Sequence, residues 1–197
     1  MGRKKSYERN ELIEKAMEIF RDHGFAGTSA EMLSKELGVN RFGLYSEFGN
    51  KQGLFDAALK RYDELVVERN FGPLESADSG INEIRDLLKF YGEAGKGQAA
   101  GRGCLLCNTA VEFGPDDPSG AGYIEQYFNR LSNAFFTALS NAEINGQLKI
   151  SVDTRMEADF FTSSVLGMFV MLRAKASPST VKRTADAAIT HLDSLLV

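Results

Sequence analysis

Residues 28–55 read TSAEMLSKELGVNRFGLYSEFGNKQGLF. Thr28 or Ser29 can cap a helix whose Met32, Leu33 and Leu37 face inward. Gly38 supplies the turn, where a positive φ is expected. Asn40 can cap a second, short helix from Arg41 to about Tyr45, and Phe48 closes it onto the core. Asn50 stands as the cap of a third, ahead of Leu54 and Phe55. Two short helices around a tight turn, followed by the start of a third, have the layout of a DNA-reading helix-turn-helix. Helix N-termini offer free N–H groups and a favourable dipole to phosphate. Thr28, Ser29, Tyr45 and Lys51 are therefore the phosphate candidates. Asn40, Arg41 and Phe42 are the base-edge candidates, since Arg forks onto guanine and an aromatic meets the thymine methyl. Lys4 and Lys5 are placed to reach the backbone or the minor groove.

Working outward, long helical patterns dominate. Leu12, Ile13, Ala16, Met17, Ile19 and Phe20 recur at helical spacing, and Gly24 follows as a stop. The helix opened by Asn50 carries Ala58, Leu59, Tyr62 and Val66. It is expected to reach about residue 69, with Gly72-Pro73 breaking it. A fifth helix is expected from about Gly80 to Glu93. GKGQAAGRG (95–103) is a loop by composition; its glycines miss the dinucleotide fingerprint and no strand precedes them. A short helix follows from about Cys104 to Phe113, and Pro115 and Pro118 delimit a loop. The next helix holds Ile124, Phe128, Leu131, Phe135 and Ala138.

Two helices close the chain, split at Ser177-Pro178. The first, about Thr154 to Ala176, is apolar on nearly every side, as a helix buried from several directions is. One of its stripes is Phe160, Ser164, Gly167, Met171 and Ala174; another is Phe161, Val165, Met168 and Leu172. The last helix aligns Val181, Ala185, Ala188, Leu192 and Leu195. These stripes are short for an extended coiled coil and fit a four-helix bundle made by two subunits. Phe160, Ser164, Gly167, Met171, Val181, Ala185, Ala188, Leu192 and Leu195 are thus the expected homodimer interface. No strand, repeat or low-complexity tract interrupts the all-α pattern of about nine helices.

Net charge is −4, which counts against a nucleic-acid binder until its distribution is considered. Residues 1–61 hold 11 Lys/Arg and 9 Asp/Glu, whereas residues 62–197 hold 12 and 18. A near-neutral head with a basic arm, on an acidic body, suits a protein that touches DNA at one end. No apolar run approaches the length of a membrane span. The basic N-terminus lacks the apolar core of a signal peptide. Two cysteines give no disulfide framework and favour a reducing, cytoplasmic setting.

Residues 9–61 resemble the N-terminal domain of the TetR family of transcriptional regulators. The resemblance is carried by Ala16, Phe20, His23-Gly24-Phe25, Thr28-Ser29, Leu37-Gly38-Val39, Leu44-Tyr45, Phe48, Lys51 and Leu54. Asn40 stands where Ser or Thr is more usual, Phe42 where a small or polar residue is common, and Ser46 where a ring is usual. These departures bear on which operator is read. The remainder resembles the family in helical layout. The resemblance implies a helix-turn-helix head over residues 1–50 and a ligand-binding and dimerisation body over 51–197, its first helix (about 51–69) linking the two. It also implies a homodimer on a roughly palindromic double-stranded DNA operator, most often a repressor released by a small-molecule effector. The aromatic content beyond residue 60 makes that effector apolar or aromatic. Tyr91, Cys107, Tyr127, Phe128 and Met168 are the expected lining, with Cys104 beside them and Asn108 and Glu112 as polar contacts.

RGCLLC places Cys104 and Cys107 three residues apart at a helix start. There the helix dipole and Arg102 would favour thiolate. A sensor of oxidants or electrophiles is therefore one alternative; two small buried packers are the other. His23 and His191 are too far apart in sequence to complete a zinc site, and no cofactor is called for. No nucleophile elbow, Walker loop or HExxH is present, so no enzyme is expected. A thiol oxidoreductase on Cys104 and Cys107 would need a βαβ context. A helical adaptor without DNA binding is the remaining reading.

Overall fold

The computed structural model describes residues 8–113 and 121–197, all of them helical or connecting. Lys4 and Lys5 lie outside the described residues. The head contains α1 (Arg9–His23), α2 (Ala30–Leu37) and α3 (Arg41–Phe48). Side chains cap these helices where the sequence offers them. Ser29 accepts from Met32 N, Asn40 from Gly43 N and Asn50 from Gly53 N. Gly38 takes the left-handed conformation, φ 67° and ψ 22°, that stops α2 and redirects the chain.

Helix α4 (Lys51–Tyr62) leaves the head and runs through a π-helical turn, Asp63–Val67, into α5 (Glu68–Glu75). The expected break at Gly72-Pro73 is corrected: Pro73 lies inside α5. A proline there forfeits a backbone bond and costs about 3 kcal/mol. Tertiary contacts offset it. Phe71 and Leu74 are buried on either side of the proline. Arg130 grips Glu68 and Glu75 of α5 together with Asp63 in the π turn. Counting this continuous rod once, the described residues form nine helical rods.

The body adds α6 (Ile81–Glu93), α7 (Leu105–Glu112), α8 (Ala121–Ile144), α9 (Thr154–Arg173) and α10 (Pro178–Ser194). Its core is aliphatic and aromatic, with Ile84, Leu88, Phe135, Phe161 and Val165 fully enclosed. Helices α6 and α10 approach closely because Gly92 carries no side chain: a Cβ there would stand 2.7 Å from Ala185 Cβ.

That contact corrects half of the expected dimer face. Val181, Ala185, Ala188, Leu192 and Leu195 are buried within the protomer. An apolar stripe reports burial, not the identity of what covers it, and here α6 of the same chain covers it. The exposed residues of α10 are instead mostly polar, including Lys182, Arg183 and Asp186. On α9, Phe160 is exposed and Ser164, Gly167 and Met171 are half-buried.

Candidate nucleic-acid interface and its ties to the helical body

Helices α2 and α3 are held by Leu33, Leu37, Val39, Leu44 and Phe48, all buried in the head core. Ser34 Oγ donates to Val39 O at 2.7 Å and closes the turn. What remains outside is the start of α3. Asn40 and Arg41 are exposed, and Phe42 is 86% exposed with no packing role. Arg41 lies 5.4 Å over the ring of half-buried Tyr45. Ser29 is exposed at the start of α2. Five of the nine expected DNA contacts are thus exposed or half-buried, four of them in α3 or at its cap and Ser29 at the start of α2.

Two others are held by backbone carbonyls. Thr28 is fully buried, and its hydroxyl donates to Gly24 O at 2.6 Å. Lys51 Nζ donates to Phe25 O (2.9 Å) and Thr28 O (3.1 Å) and sits over the Phe25 ring. Both are corrected from phosphate ligands to fasteners of the α1–α2 corner. The physical reason is that the corner after α1 turns the carbonyls of Gly24, Phe25 and Thr28 towards these two side chains, which donate to them.

The same corner is the joint to the body. Glu112 of α7 accepts from Phe25 N (2.9 Å) and Ala26 N (2.6 Å). Arg173 of α9 donates to Arg21 O (2.9 Å) and Asp22 O (3.1 Å), carbonyls of the last turn of α1. A guanidinium at a helix C-terminus is favoured by the dipole as well as by the hydrogen bonds. Arg21 returns the contact, donating through Nε and Nη2 to Gly103 O at 2.9 and 2.6 Å. Arg102 binds Asp22 and Glu18 on the same helix. Gly103 must be glycine: its φ is 63°, and a Cβ would stand 2.9 Å from Phe169 O. Beneath these ties Phe20, Phe25, Phe55 and Phe113 pack as one aromatic cluster shared by head and body. Sequence reasoning missed Arg21, Arg102 and Arg173 as a set. They meet partners 80 or more residues away, and no local spacing signals that.

The cysteines lie just behind this joint. Cys104 and Cys107 are free and buried. Cys104 Sγ is 3.2 Å from the Tyr127 hydroxyl. Burial, with neighbouring Cys104, pushes the Cys107 thiol up to about 12. Arg102, expected to favour thiolate, is committed to the acids of α1 instead. The surroundings of Cys107 therefore oppose thiolate chemistry. His23 is exposed at the end of α1. His191 pairs with Glu157 at 2.6 Å and packs on Phe160.

A cavity of about 390 Å³ opens between α4, α6, α9 and the 94–103 loop. Tyr62, Phe90, Tyr91 and Phe169 form its walls. Arg21, Arg69 and Asn70 supply its polar groups. Of the expected pocket residues only Tyr91 lines it. Cys104 and Met168 are enclosed in the core, and Phe128 packs on Tyr127. Tyr127 borders a separate hollow near Arg130. Cys107 and Asn108 border a groove with His23, and Asn108 Nδ2 donates to Arg102 O. The reason is rotational: α8 turns Tyr127 towards Cys104, and α9 presents Phe169 rather than Met168 to the opening. Among the described residues no group of three or more His, Cys, Asp or Glu is arranged to hold a metal, and no helix is long and apolar enough to cross a membrane.

Comparison with known proteins agrees with this geometry. A family described as bacterial regulatory proteins, tetR family, matches residues 12–58, and the tetracyclin repressor-like C-terminal domain matches residues 80–188. The uncharacterized HTH-type transcriptional regulator YezE of Bacillus subtilis is 30% identical over 98% of this chain and 100% of its own. The HTH-type transcriptional repressor ComR of Escherichia coli is 24% identical over 95% of this chain and 90% of its own. Among solved structures, a cysteine mutant of the regulator CifR complexed with 26-bp double-strand operator DNA superposes with TM-score 0.85 at 21% identity, covering 96% of this chain and 98% of that one. Reduced E. coli NemR superposes with TM-score 0.75 at 20% identity, covering 96% and 97%. At these identities the structural likeness speaks for the fold.

Proposed function

The chain belongs to the tetR family of bacterial regulatory proteins, and on that premise we propose that it acts as a homodimeric repressor released from its operator by a small effector. The observation that carries this reading is the outward face of α3. Asn40 caps the helix and is exposed, as are Arg41 and Phe42 after it, and the Phe42 ring, 86% exposed, packs on nothing in the core. CifR, with the same fold, is held on double-strand operator DNA. Two copies of α3 in a two-fold dimer fit major grooves about one helical turn, roughly 34–36 Å, apart. Residues 1–50 form the reading head and 51–197 the effector-binding and dimerising body, with α4 belonging to both. The protein is a cytoplasmic regulator rather than a catalyst.

The dimer face we propose is the outward side of α9: Phe160, Ser164, Gly167 and Met171. The effector site is the cavity walled by Tyr62, Phe90, Tyr91 and Phe169. What supports the coupling is adjacency. Arg21 belongs to α1 of the head and lines the cavity, and Arg173 ties α9 to the end of α1. An effector that binds one arrangement of this joint better than the other shifts the spacing of the two heads.

The test is selection of random duplex DNA by the purified protein, repeated with Arg41→Ala. A palindromic motif, relaxed at defined positions by the substitution, is the expected result. Absence of any enriched motif, with the protein folded and dimeric, would overturn it.

A further inference from the structure

Among the described residues five arginines each hold a carboxylate: Arg9, Arg61, Arg85, Arg102 and Arg130. Arg21 and Arg69 hold none among the described residues, yet both line one cavity. No Asp or Glu among the described residues joins them in that lining, although the chain as a whole carries a net charge of −4. Arg21 is half-buried, spends Nε and Nη2 on Gly103 O and leaves Nη1 unassigned. Arg69 is exposed, and its hydrogen bond among the described residues is to Asn70 Oδ1, at 3.4 Å. The Arg21 guanidinium, drawn partly out of water over the Tyr62 ring without a counter-ion among the described residues, is costly. Its planar fork matches a carboxylate.

A third donor lines the same cavity. The Tyr91 hydroxyl accepts from Asn70 Nδ2 at 3.0 Å, which leaves its own proton to give. Burial raises the pKa of this hydroxyl, so it keeps that proton, while the charges of Arg69 and Arg21 both act on it in the opposite sense. Two cations and one O–H donor therefore converge on a cavity otherwise walled by Tyr62, Phe90 and Phe169. Its volume, about 390 Å³, lies within the range of small-ligand sites.

The geometry points to a small aromatic monocarboxylate as the occupant, its carboxylate facing Arg21, Arg69 and the Tyr91 hydroxyl and its ring among Tyr62, Phe90 and Phe169. This rests on the reading of the cavity as the effector site and adds the charge of the effector to it. It also supplies the coupling: a carboxylate taken by Arg21 competes with Gly103 O for the same guanidinium. That bond ties α1 to the loop before α7, so the anion acts directly on the joint of the DNA-binding head.

The experiment is calorimetric titration of the full chain with benzoate, 1-naphthoate and indole-3-acetate, each beside its neutral amide. At least one acid is expected to bind once per protomer, with its amide about tenfold weaker or worse, as the loss of charge-assisted hydrogen bonds demands. Arg69→Gln, whose side chain holds no other structure, is expected to weaken the acid about tenfold and leave the amide unchanged. Arg21→Gln is expected to do the same, and its melting temperature reports separately on the joint. Amides that bind as tightly as acids, acids indifferent to both substitutions, or no acid bound at millimolar concentration would each overturn the inference. Operator binding is then measured with the same compounds. Acids that bind without changing operator affinity would leave the carboxylate site standing and overturn both its coupling to the joint and effector release. Amides that release DNA where acids do not would do the reverse.

Discussion

Phe42 is the residue whose placement is hardest to explain by stability, since a phenylalanine 86% exposed at a helix start gains nothing from burial. Together with Arg41 it is free to meet base edges. Each substitution to Ala is expected to cost about 1–3 kcal/mol of discrimination at one or two operator positions, read as relaxed columns in a selected motif. Thr28→Ala and Lys51→Ala, by contrast, are expected to act through folding. They remove donors from part-buried carbonyls of the α1–α2 corner, so the melting temperature falls before specificity changes. Glu112→Ala removes the acceptor of two backbone N–H groups, and a loss of about 1–3 kcal/mol follows for charged hydrogen bonds, at the low end because the carboxylate is exposed.

Cys107 gives a prediction in pH. Its thiol rises from an ordinary 9.0 to about 12 on folding. Above about pH 9 the unfolded chain releases a proton that the folded chain keeps. Stability is therefore complete below pH 9 and declines as pH climbs towards 12; burial of Tyr62, Tyr91 and Tyr127 acts in the same direction. At pH 8 burial keeps the folded Cys107 thiol protonated. Alkylation by iodoacetamide is expected only after unfolding, and rapid labelling of Cys107 in the native protein would contradict this account.

At the scale of elements, two features depend on partners far away in sequence. The α4–α5 rod survives Gly72-Pro73 because Arg130 gathers Asp63, Glu68 and Glu75 and because Phe71 and Leu74 are buried. Arg130→Ala is expected to raise amide exchange over residues 69–75 while leaving α4 protected; unchanged exchange would mean that packing alone holds the turn. Helices α6 and α10 meet at Gly92 and Ala185. Gly92→Ala adds a methyl where a Cβ would stand 2.7 Å from its neighbour. Despite better helix propensity it is expected to destabilise by about 1–3 kcal/mol, measured by denaturant unfolding.

At the scale of the whole molecule, the proposed dimer face can be tested without disturbing the protomer. A Cβ on Gly167 meets nothing within 4 Å. Gly167→Arg should fold normally but sediment as a monomer and lose operator affinity. A variant that remains dimeric would place the interface elsewhere. Arg173→Ala cuts the tie from α9 to the end of α1. It is expected to leave specific DNA binding in place and weaken its response to effector.

The head was legible in the sequence because its determinants are local. Ser29, Asn40 and Asn50 cap their own helices, Gly38 turns its own chain, and a stripe such as Leu12, Ile13, Ala16 and Phe20 declares one buried face. Those short-range rules sufficed for an all-helical chain with a helix-turn-helix at one end. Three things were decided only by tertiary structure. Val181, Ala185 and Leu192 face α6 and not a second subunit, because hydrophobic periodicity carries no label for the partner. Thr28 and Lys51 turn inward, because the carbonyls that claim them exist only once the corner is folded. Arg21, Arg69, Tyr91 and Phe169 share one cavity, because helices from four parts of the chain rotate those faces together, and no spacing along a single helix can encode the rotation of another.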